Sequence, residues 1–143
     1  MPLLSDQWNR RLSKVVTTGI GVYFMSVAIL KIVSFEEFVQ AVKNYDLLPT
    51  AVLVHFSILI ILIELIGGGA LVLNICVTFV SRALAGTLIM FTIAVCFNLI
   101  RGTIVDCGCY GSAMSDAIGW RHVLQNVVLC ILLFRAVMMV RNK

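Results

Sequence analysis

The sequence predicts an all-α membrane protein: a bundle of four transmembrane helices with a short interfacial amphipathic helix between the first two. Of its 143 residues, 61% are hydrophobic and only 13% are charged, and the mean hydropathy is +1.05. Soluble domains carry about 25% charged residues, so a chain this apolar requires a bilayer as its solvent. We predict a single domain over residues 1–143.

Four apolar runs supply the transmembrane helices, at residues 15–33, 52–73, 76–100 and 117–140. Each has about the 20 residues that a helix needs to cross the hydrocarbon core, and a helix satisfies its own backbone there. We expect the first run to stay in the protein as a helix and not to be cleaved as a signal peptide, because it is longer than a typical signal-peptide core and no small-residue cleavage site follows it. The glycines at 67–69, inside the second run, favour close packing of helices.

The connection between the first two runs predicts a helix of its own. Its apolar residues recur at i, i+3, i+4 and i+7 and form one stripe: Phe35, Phe38, Val39 and Val42. Pro49 ends this segment. Two interpretations are open. The helix anchors the chain on the lipid surface, or it is a lid over a site at the mouth of the bundle.

The distribution of charge predicts the orientation. Basic residues cluster near both termini, at Arg10, Arg11, Lys14, Arg141 and Lys143, whereas the first long connection is acidic. The positive-inside rule then places both termini in the cytoplasm and both long connections outside. We expect a bacterial inner membrane. This topology accounts for the net charge of +4, so it indicates no nucleic-acid partner.

The connection after the third helix, residues 101–116, contains Asp-Cys-Gly-Cys-Tyr-Gly. A disulfide between Cys107 and Cys109 would close a very small, strained ring, and strained, exposed disulfides are typically catalytic or regulatory. The residues alone leave three possibilities: redox exchange, metal binding and a static turn. A zinc site needs about four ligands, and only His122 and a poorly suited Asp116 lie near the two cysteines in sequence. We therefore expect no metal.

Polar residues within the apolar runs form a second set of candidates. Glu64 lies roughly 18 Å into the second helix at 1.5 Å per residue, and an ionisable group at that depth indicates a functional site. We expect it to face the interior and to bond to Asn126, which lies at comparable depth. Lys31 is expected to snorkel towards the membrane surface. Further polar and aromatic residues lie at the outward helix ends, namely His55, Asn98, Arg101, Trp120, Arg121 and His122.

The three remaining cysteines lie within the predicted helices. Small thiols in helices usually pack in the core, which is what we expect of Cys76 and Cys130. Cys96 lies about one turn below the outward end of the third helix and is a candidate third thiol.

Four stretches together resemble the MauE family of DoxX-like membrane proteins: "LKIVSFEEFVQAVKNYDLLP", "IELIGGGALVL", "FNLIRGTIVDCGCYG" and "IGWRHVLQN". The resemblance spans nearly the whole chain. Its most specific part is RGxxxDCGCYG, where the family usually has Phe in place of Tyr110.

The resemblance implies a role in disulfide formation in exported proteins, first associated with methylamine utilisation, beside a thioredoxin-like partner. It makes Cys107 and Cys109 the redox pair. By fold-level analogy with DsbB and vitamin K epoxide reductase, we expect a membrane quinone, ubiquinone or menaquinone, to accept the electrons. The candidates for the quinone or substrate site are Glu64, Arg101, Trp120, Arg121, Asn126 and His55.

Two other functions stay open at this stage. Thiolates of the paired and helical cysteines could bind a soft metal such as mercury, copper or zinc, in a binding or transport protein. The chain could also be a non-catalytic assembly subunit that recruits a soluble redox protein.

Overall fold

The computed structural model describes residues 2–102 and 120–141, which form five helices and no strand. The helices are α1 (Pro2–Val33), α2 (Phe35–Asn44), α3 (Thr50–Val72), α4 (Val77–Arg101) and α5 (Trp120–Arg141). Within these described ranges, four stretches are long and apolar enough to cross a membrane: Arg11–Val33, Thr50–Val72, Val77–Arg101 and Trp120–Met138. The predicted fold class is confirmed, although α1 begins well before the predicted residue 15.

Neighbouring helices run antiparallel. Along α1, Gly21 meets Gly68 and Lys31 meets Glu64, so the contact moves towards the start of α3 as α1 advances. In α4 and α5, Thr92 contacts Asn126, and residues 81 and 82 share a groove with residues 137 and 138. The start of α1 and the end of α5 therefore lie at one end of the bundle, the termini end. The opposite end, the α2 end, holds α2, the end of α4 and the start of α5.

The tight turn between α3 and α4 is built by a Schellman motif. Asn74 adopts a positive φ of 56°, which asparagine tolerates better than most residues. The Ile75 N–H donates to Ala70 O at 2.8 Å, and the Asn74 N–H donates to Leu71 O at 3.1 Å. These two bonds satisfy carbonyls that the helix end would otherwise leave without partners. Cys76 follows, also with a positive φ of 45°.

In the part of the chain that the structure describes, the interior contains two apolar clusters. One is built on Phe24, Leu71, Leu84 and Leu133 and extends towards the termini end. The other contains Phe38 and Val42 of α2, packed against α3 and Phe91 of α4. Polar side chains lie where the two clusters meet, so apolar packing encloses them on both sides.

Glycines allow α1 and α3 to touch. A Cβ added to Gly21 would lie 2.6 Å from Gly68 O, and a Cβ added to Gly68 would lie 2.8 Å from Gly21 O. Both distances are shorter than a carbon and an oxygen can approach without displacement of the backbone. The expectation that the Gly67–Gly69 run favours close packing is confirmed at Gly68, whereas Gly69 faces open space.

We expect Gly21→Ala and Gly68→Ala to lower the free energy of unfolding by about 1–3 kcal/mol, the usual cost of overpacking a well-packed contact. The reason is that the added methyl group pushes two backbones apart. Gly69→Ala is the matched control, since its Cβ would meet nothing within 4 Å. Denaturant unfolding in detergent micelles measures the difference. Equal midpoints for Gly68→Ala and Gly69→Ala would show that the close contact is unimportant.

Candidate functional site

A buried ion pair lies inside the bundle. The Lys31 ammonium donates to both carboxylate oxygens of Glu64, at 2.7 Å to Oε1 and 2.8 Å to Oε2. Lys31 is 2% exposed and Glu64 is 5% exposed. An isolated charge at such depth is very costly, so each side chain requires the other. The predicted interior position of Glu64 is confirmed.

The directions of α1 and α3 explain why two distant residues meet. Lys31 lies ten residues beyond Gly21 and Glu64 lies four before Gly68, which leaves an axial gap of about six residues, or ~9 Å. Side chains on a helix lean towards its N-terminus. Since the helices are antiparallel, Lys31 and Glu64 lean towards each other, and their combined length closes the gap.

Two aromatic rings enclose the ammonium group. Lys31 Nζ lies 4.8 Å from the Phe38 ring centroid and 5.1 Å from the Phe91 ring centroid. Both distances fall within the range of cation–π attraction. The lysine therefore contacts a carboxylate from α3 and ring faces from α2 and α4, which ties four helices together at one point.

The short helix α2 covers this site. Phe38 is fully buried, and Ala41 and Val42 beside it are also buried against the bundle. The charged residues Glu36, Glu37 and Lys43 are exposed on the other face. The predicted amphipathic helix is thus confirmed, and its apolar stripe packs on protein. Of the two sequence interpretations, this placement corresponds to the lid.

A small polar cavity adjoins the ion pair. It measures about 30 Å³, and its walls include Tyr23, Lys31, Glu64 and Asn126. That volume is sufficient for an ordered water molecule. Asn126 Nδ2 donates to Thr92 Oγ1 at 3.1 Å, and Gln125 Nε2 donates to the Tyr23 hydroxyl at 2.8 Å. Side chains from α1, α3, α4 and α5 therefore converge on one polar centre.

Two sequence expectations about this centre were wrong. Lys31 does not snorkel to the surface, because Glu64 and two rings hold it inside the bundle. The carboxylate's partner is Lys31, whereas the side-chain amide of Asn126 donates to Thr92. Asn126 still lines the cavity beside Glu64, so the expected proximity holds although the expected bond does not.

Buried polar residues continue from this centre towards the α2 end. His122 lies one turn before Asn126 on α5 and is buried. Its Nδ1 has no hydrogen-bond partner within residues 2–102 and 120–141. Asn98 is buried near the end of α4 and donates to Ala94 O. Sequence reasoning grouped His122 with the outward residues, and only its helical spacing from Asn126 signals an inward face.

A family of known proteins matches most of this chain. The family model described as "Methylamine utilisation protein MauE" matches residues 9–140. The chain belongs to the MauE family. The resemblance in the sequence motifs is thereby confirmed.

Individual MauE proteins are similar over most of this chain. The methylamine utilization protein MauE of Paracoccus denitrificans is 29% identical over 111 residues, which cover 77% of this chain and 60% of the relative. The protein of that name from Methylorubrum extorquens is 31% identical over 125 residues, or 84% of this chain and 67% of the relative. The chain thus spans about 60% to two thirds of these relatives' length. No solved structure matches it.

The other predicted site residues of this MauE family member lie away from the ion pair. His55, Arg101, Trp120 and Arg121 are all exposed. The Arg101 guanidinium lies over the Phe97 ring, 5.3 Å from its centroid. Of the six candidates for the quinone or substrate site, Glu64 and Asn126 line one cavity.

The cysteines of this MauE family member lie in different parts of the chain and differ in exposure. Cys107 and Cys109 lie outside the described residues, in the segment that joins the end of α4 to the start of α5. Cys96 and Cys130 are partly buried. Cys76 is exposed, so the expectation that it packs in the core was wrong, because the turn after the Schellman motif turns it away from the bundle.

A larger apolar cavity lies beside the ion pair. It measures about 390 Å³, is open on one side and is lined by side chains of α2, the α2–α3 connection, α3 and α4, among them Tyr45, Phe56, Met90 and Phe91. Phe91 belongs to both sites, since it lines this cavity and also contacts Lys31 Nζ. Sequence reasoning missed this cavity, because its walls are ordinary apolar positions of separate elements.

Proposed function

We propose that this protein is a membrane thiol–disulfide oxidoreductase that takes electrons from a thioredoxin-like partner through Cys107 and Cys109 and passes them to a membrane quinone. The observation that carries the proposal is the Lys31–Glu64 pair, enclosed beneath α2. It lies in the half of the bundle to which the Cys-Gly-Cys segment is joined. Buried ionisable groups in transmembrane helices mark functional sites by default.

The proposed reaction has two steps. A thiolate of the reduced partner attacks the Cys107–Cys109 disulfide and forms a mixed disulfide; the partner's second thiol then releases it as the oxidised partner. Cys107 and Cys109 are left as two thiols. These re-form their disulfide while two electrons and two protons reduce the quinone to quinol. The net reaction therefore converts one dithiol and one quinone into one disulfide and one quinol.

Residues at the α2 end support the thiol chemistry. Arg101 is the last residue of α4 and Arg121 is the second residue of α5, so the two arginines bracket the segment that contains both cysteines. A nearby guanidinium favours the thiolate, which is the reactive form of cysteine. In the proposal, both arginines assist formation of the attacking or leaving thiolate.

The apolar cavity fits a quinone as co-substrate. Its volume of about 390 Å³ lies in the range of small-molecule sites. Its aromatic residues Tyr45, Phe56 and Phe91 provide ring faces against which a flat quinone ring can stack. The Lys31–Glu64 pair lies behind Phe91 and offers a polar group close to the cavity that can hold a proton. The polar centre is thus assigned a positioning and proton-holding role.

The MauE relatives are named for methylamine utilisation. Beyond that name, we propose only the class of client that the family resemblance implies, a protein whose disulfides form outside the cytoplasm.

The test of the proposal is quinone reduction by the purified protein, followed by absorbance, with a reduced thioredoxin-like protein as electron donor. Quinol formation that requires both the donor and this protein supports the oxidoreductase. Disulfide formation in the client without any quinone reduction would instead support a recruiting subunit.

The proposed orientation places the α2 end outside an inner membrane and the termini end in the cytoplasm. Cys76 provides an internal control, because it is exposed at the termini end. In intact, reduced cells, we expect an impermeant maleimide to label a variant that retains only Cys109 and not a variant that retains only Cys76. Permeabilised cells should label both. Labelling of Cys76 alone in intact cells would reverse the orientation and contradict the redox role of the Cys-Gly-Cys segment.

A further inference from the structure

A groove between α4 and α5 near the termini end contains two arginines at the same level. The groove has a volume of about 470 Å³, and Arg82 and Arg135 both line it. The contact between Thr92 and Asn126 sets the antiparallel register. From that contact, Arg82 lies ten residues towards the start of α4 and Arg135 lies nine residues towards the end of α5. The backbone positions of the two arginines therefore lie at about the same level on facing helices, and both side chains line the groove.

Both arginines lie within the membrane-spanning stretches. Arg82 is five residues beyond Val77, or ~7.5 Å into α4, and Arg135 precedes the end of the Trp120–Met138 span by three residues. Both are exposed, and neither forms an ion pair with a carboxylate in the described part of the chain. A lipid-facing cation at this depth is costly unless it reaches an anion near the headgroups.

The rest of the groove is suited to a hydrocarbon chain. Beyond the arginines, its walls are mainly apolar and include Ala85, Ile89, Ile131, Leu133, Phe134 and Met138. The groove runs from the level of the arginines towards the middle of the bundle, where Ile89 and Cys130 line it. A ligand that fits both parts carries an anionic head and an apolar tail.

We propose that this groove binds one anionic glycerophospholipid, with its phosphate between Arg82 and Arg135 and an acyl chain along the apolar wall. A guanidinium group binds phosphate through two parallel hydrogen bonds, which gives both strength and geometry. Basic pockets between transmembrane helices are known to bind anionic headgroups. The site lies at the end of the bundle opposite α2, so the proposal does not depend on the oxidoreductase function.

The test measures lipid retention by the full chain in detergent micelles, by native mass spectrometry during titration. The probes are phosphatidylglycerol, phosphatidylcholine with the same acyl chains, and glycerol 3-phosphate. We expect phosphatidylglycerol to bind about tenfold more tightly than phosphatidylcholine, because both lipids carry the phosphate but the choline ammonium of phosphatidylcholine offsets its charge and is repelled by the two arginines. Glycerol 3-phosphate at the same concentration should not bind, because it lacks the acyl chains.

Variants separate this site from general attraction to a basic surface. Arg82→Gln with Arg135→Gln should abolish the preference for phosphatidylglycerol, whereas Arg82→Lys with Arg135→Lys should retain part of it. Arg11→Gln with Lys14→Gln is the matched control, since it also removes two charges from exposed residues at the same end and neither residue lines the groove. The proposal is overturned by equal binding of the two lipids, by equal binding of glycerol 3-phosphate, or by an equal loss in the Arg11→Gln, Lys14→Gln control. Since Arg82 and Arg135 are exposed, the glutamine variants should fold, and their unfolding midpoints without added lipid verify this.

Discussion

Glu64→Gln is expected to lower the free energy of unfolding by about 3–5 kcal/mol, the usual cost of removing one partner from a buried ion pair. The substitution leaves the Lys31 ammonium in the bundle interior, 2% exposed, without its counter-charge. The rings of Phe38 and Phe91 recover only part of the loss, because cation–π attraction contributes about 2 kcal/mol even at a desolvated site. Lys31→Met should be destabilising for the converse reason, since it leaves an uncompensated carboxylate.

The double variant Lys31→Met, Glu64→Leu should be much more stable than either single variant. It removes both charges and fills the space with apolar side chains of similar volume, a replacement that is often neutral or stabilising. Denaturant unfolding in detergent micelles, analysed as a double-mutant cycle, gives the interaction energy. Glu37→Gln is the control, because Glu37 is exposed on α2 and surface substitutions usually change stability by less than about 0.5 kcal/mol.

The same variants separate a structural pair from a functional one. If the pair only holds the helices together, the double variant should recover quinone reduction along with stability. If the pair has the proton-holding role proposed above, the double variant should be stable and impaired in turnover. A Glu64→Gln protein as stable as Glu37→Gln would contradict the electrostatic account of the pair altogether.

Run length and helical spacing were sufficient to predict the bundle. Hydrocarbon thickness fixes how many apolar residues a span needs, so the four runs located α1, α3, α4 and α5. The i, i+3, i+4, i+7 stripe located α2 for the same reason: it depends on local geometry alone. The interior position of Glu64 was predictable too, since a carboxylate at mid-membrane depth has few alternatives to facing protein.

The partner of Glu64 was not predictable in this way. Lys31 lies two residues from the end of α1, which locally favours snorkelling. Its actual direction depends on the antiparallel course of α3, on the close approach at Gly21 and Gly68, and on Phe38 closing the space above it. Periodicity gives the face of each residue but not which residue of another helix it meets. Asn126 illustrates this, because it shares the depth of Glu64 and yet its amide bonds to Thr92.

Substitution of either cysteine of the Cys-Gly-Cys segment should have the largest effect on activity. We expect Cys107→Ser and Cys109→Ser each to lower quinone reduction by on the order of a thousandfold, since removal of a covalent nucleophile typically costs at least that. The physical reason is that a single thiol cannot re-form the disulfide that each turnover consumes. Stability should change little. Cys96→Ser and Cys130→Ser are the controls, because these two thiols are partly buried and the proposed relay uses neither of them.

The two single variants should also differ in kind. The variant that retains the cysteine attacked by the partner should accumulate a mixed disulfide with it, if the partner's second thiol is also replaced by serine; the other should accumulate none. Non-reducing electrophoresis of the purified complex distinguishes them and identifies the cysteine that faces the partner. A Cys107→Ser, Cys109→Ser double variant that still reduced quinone at the normal rate would exclude the relay. The two thiols would then be left with a structural or metal-binding role, because no redox chemistry would depend on them.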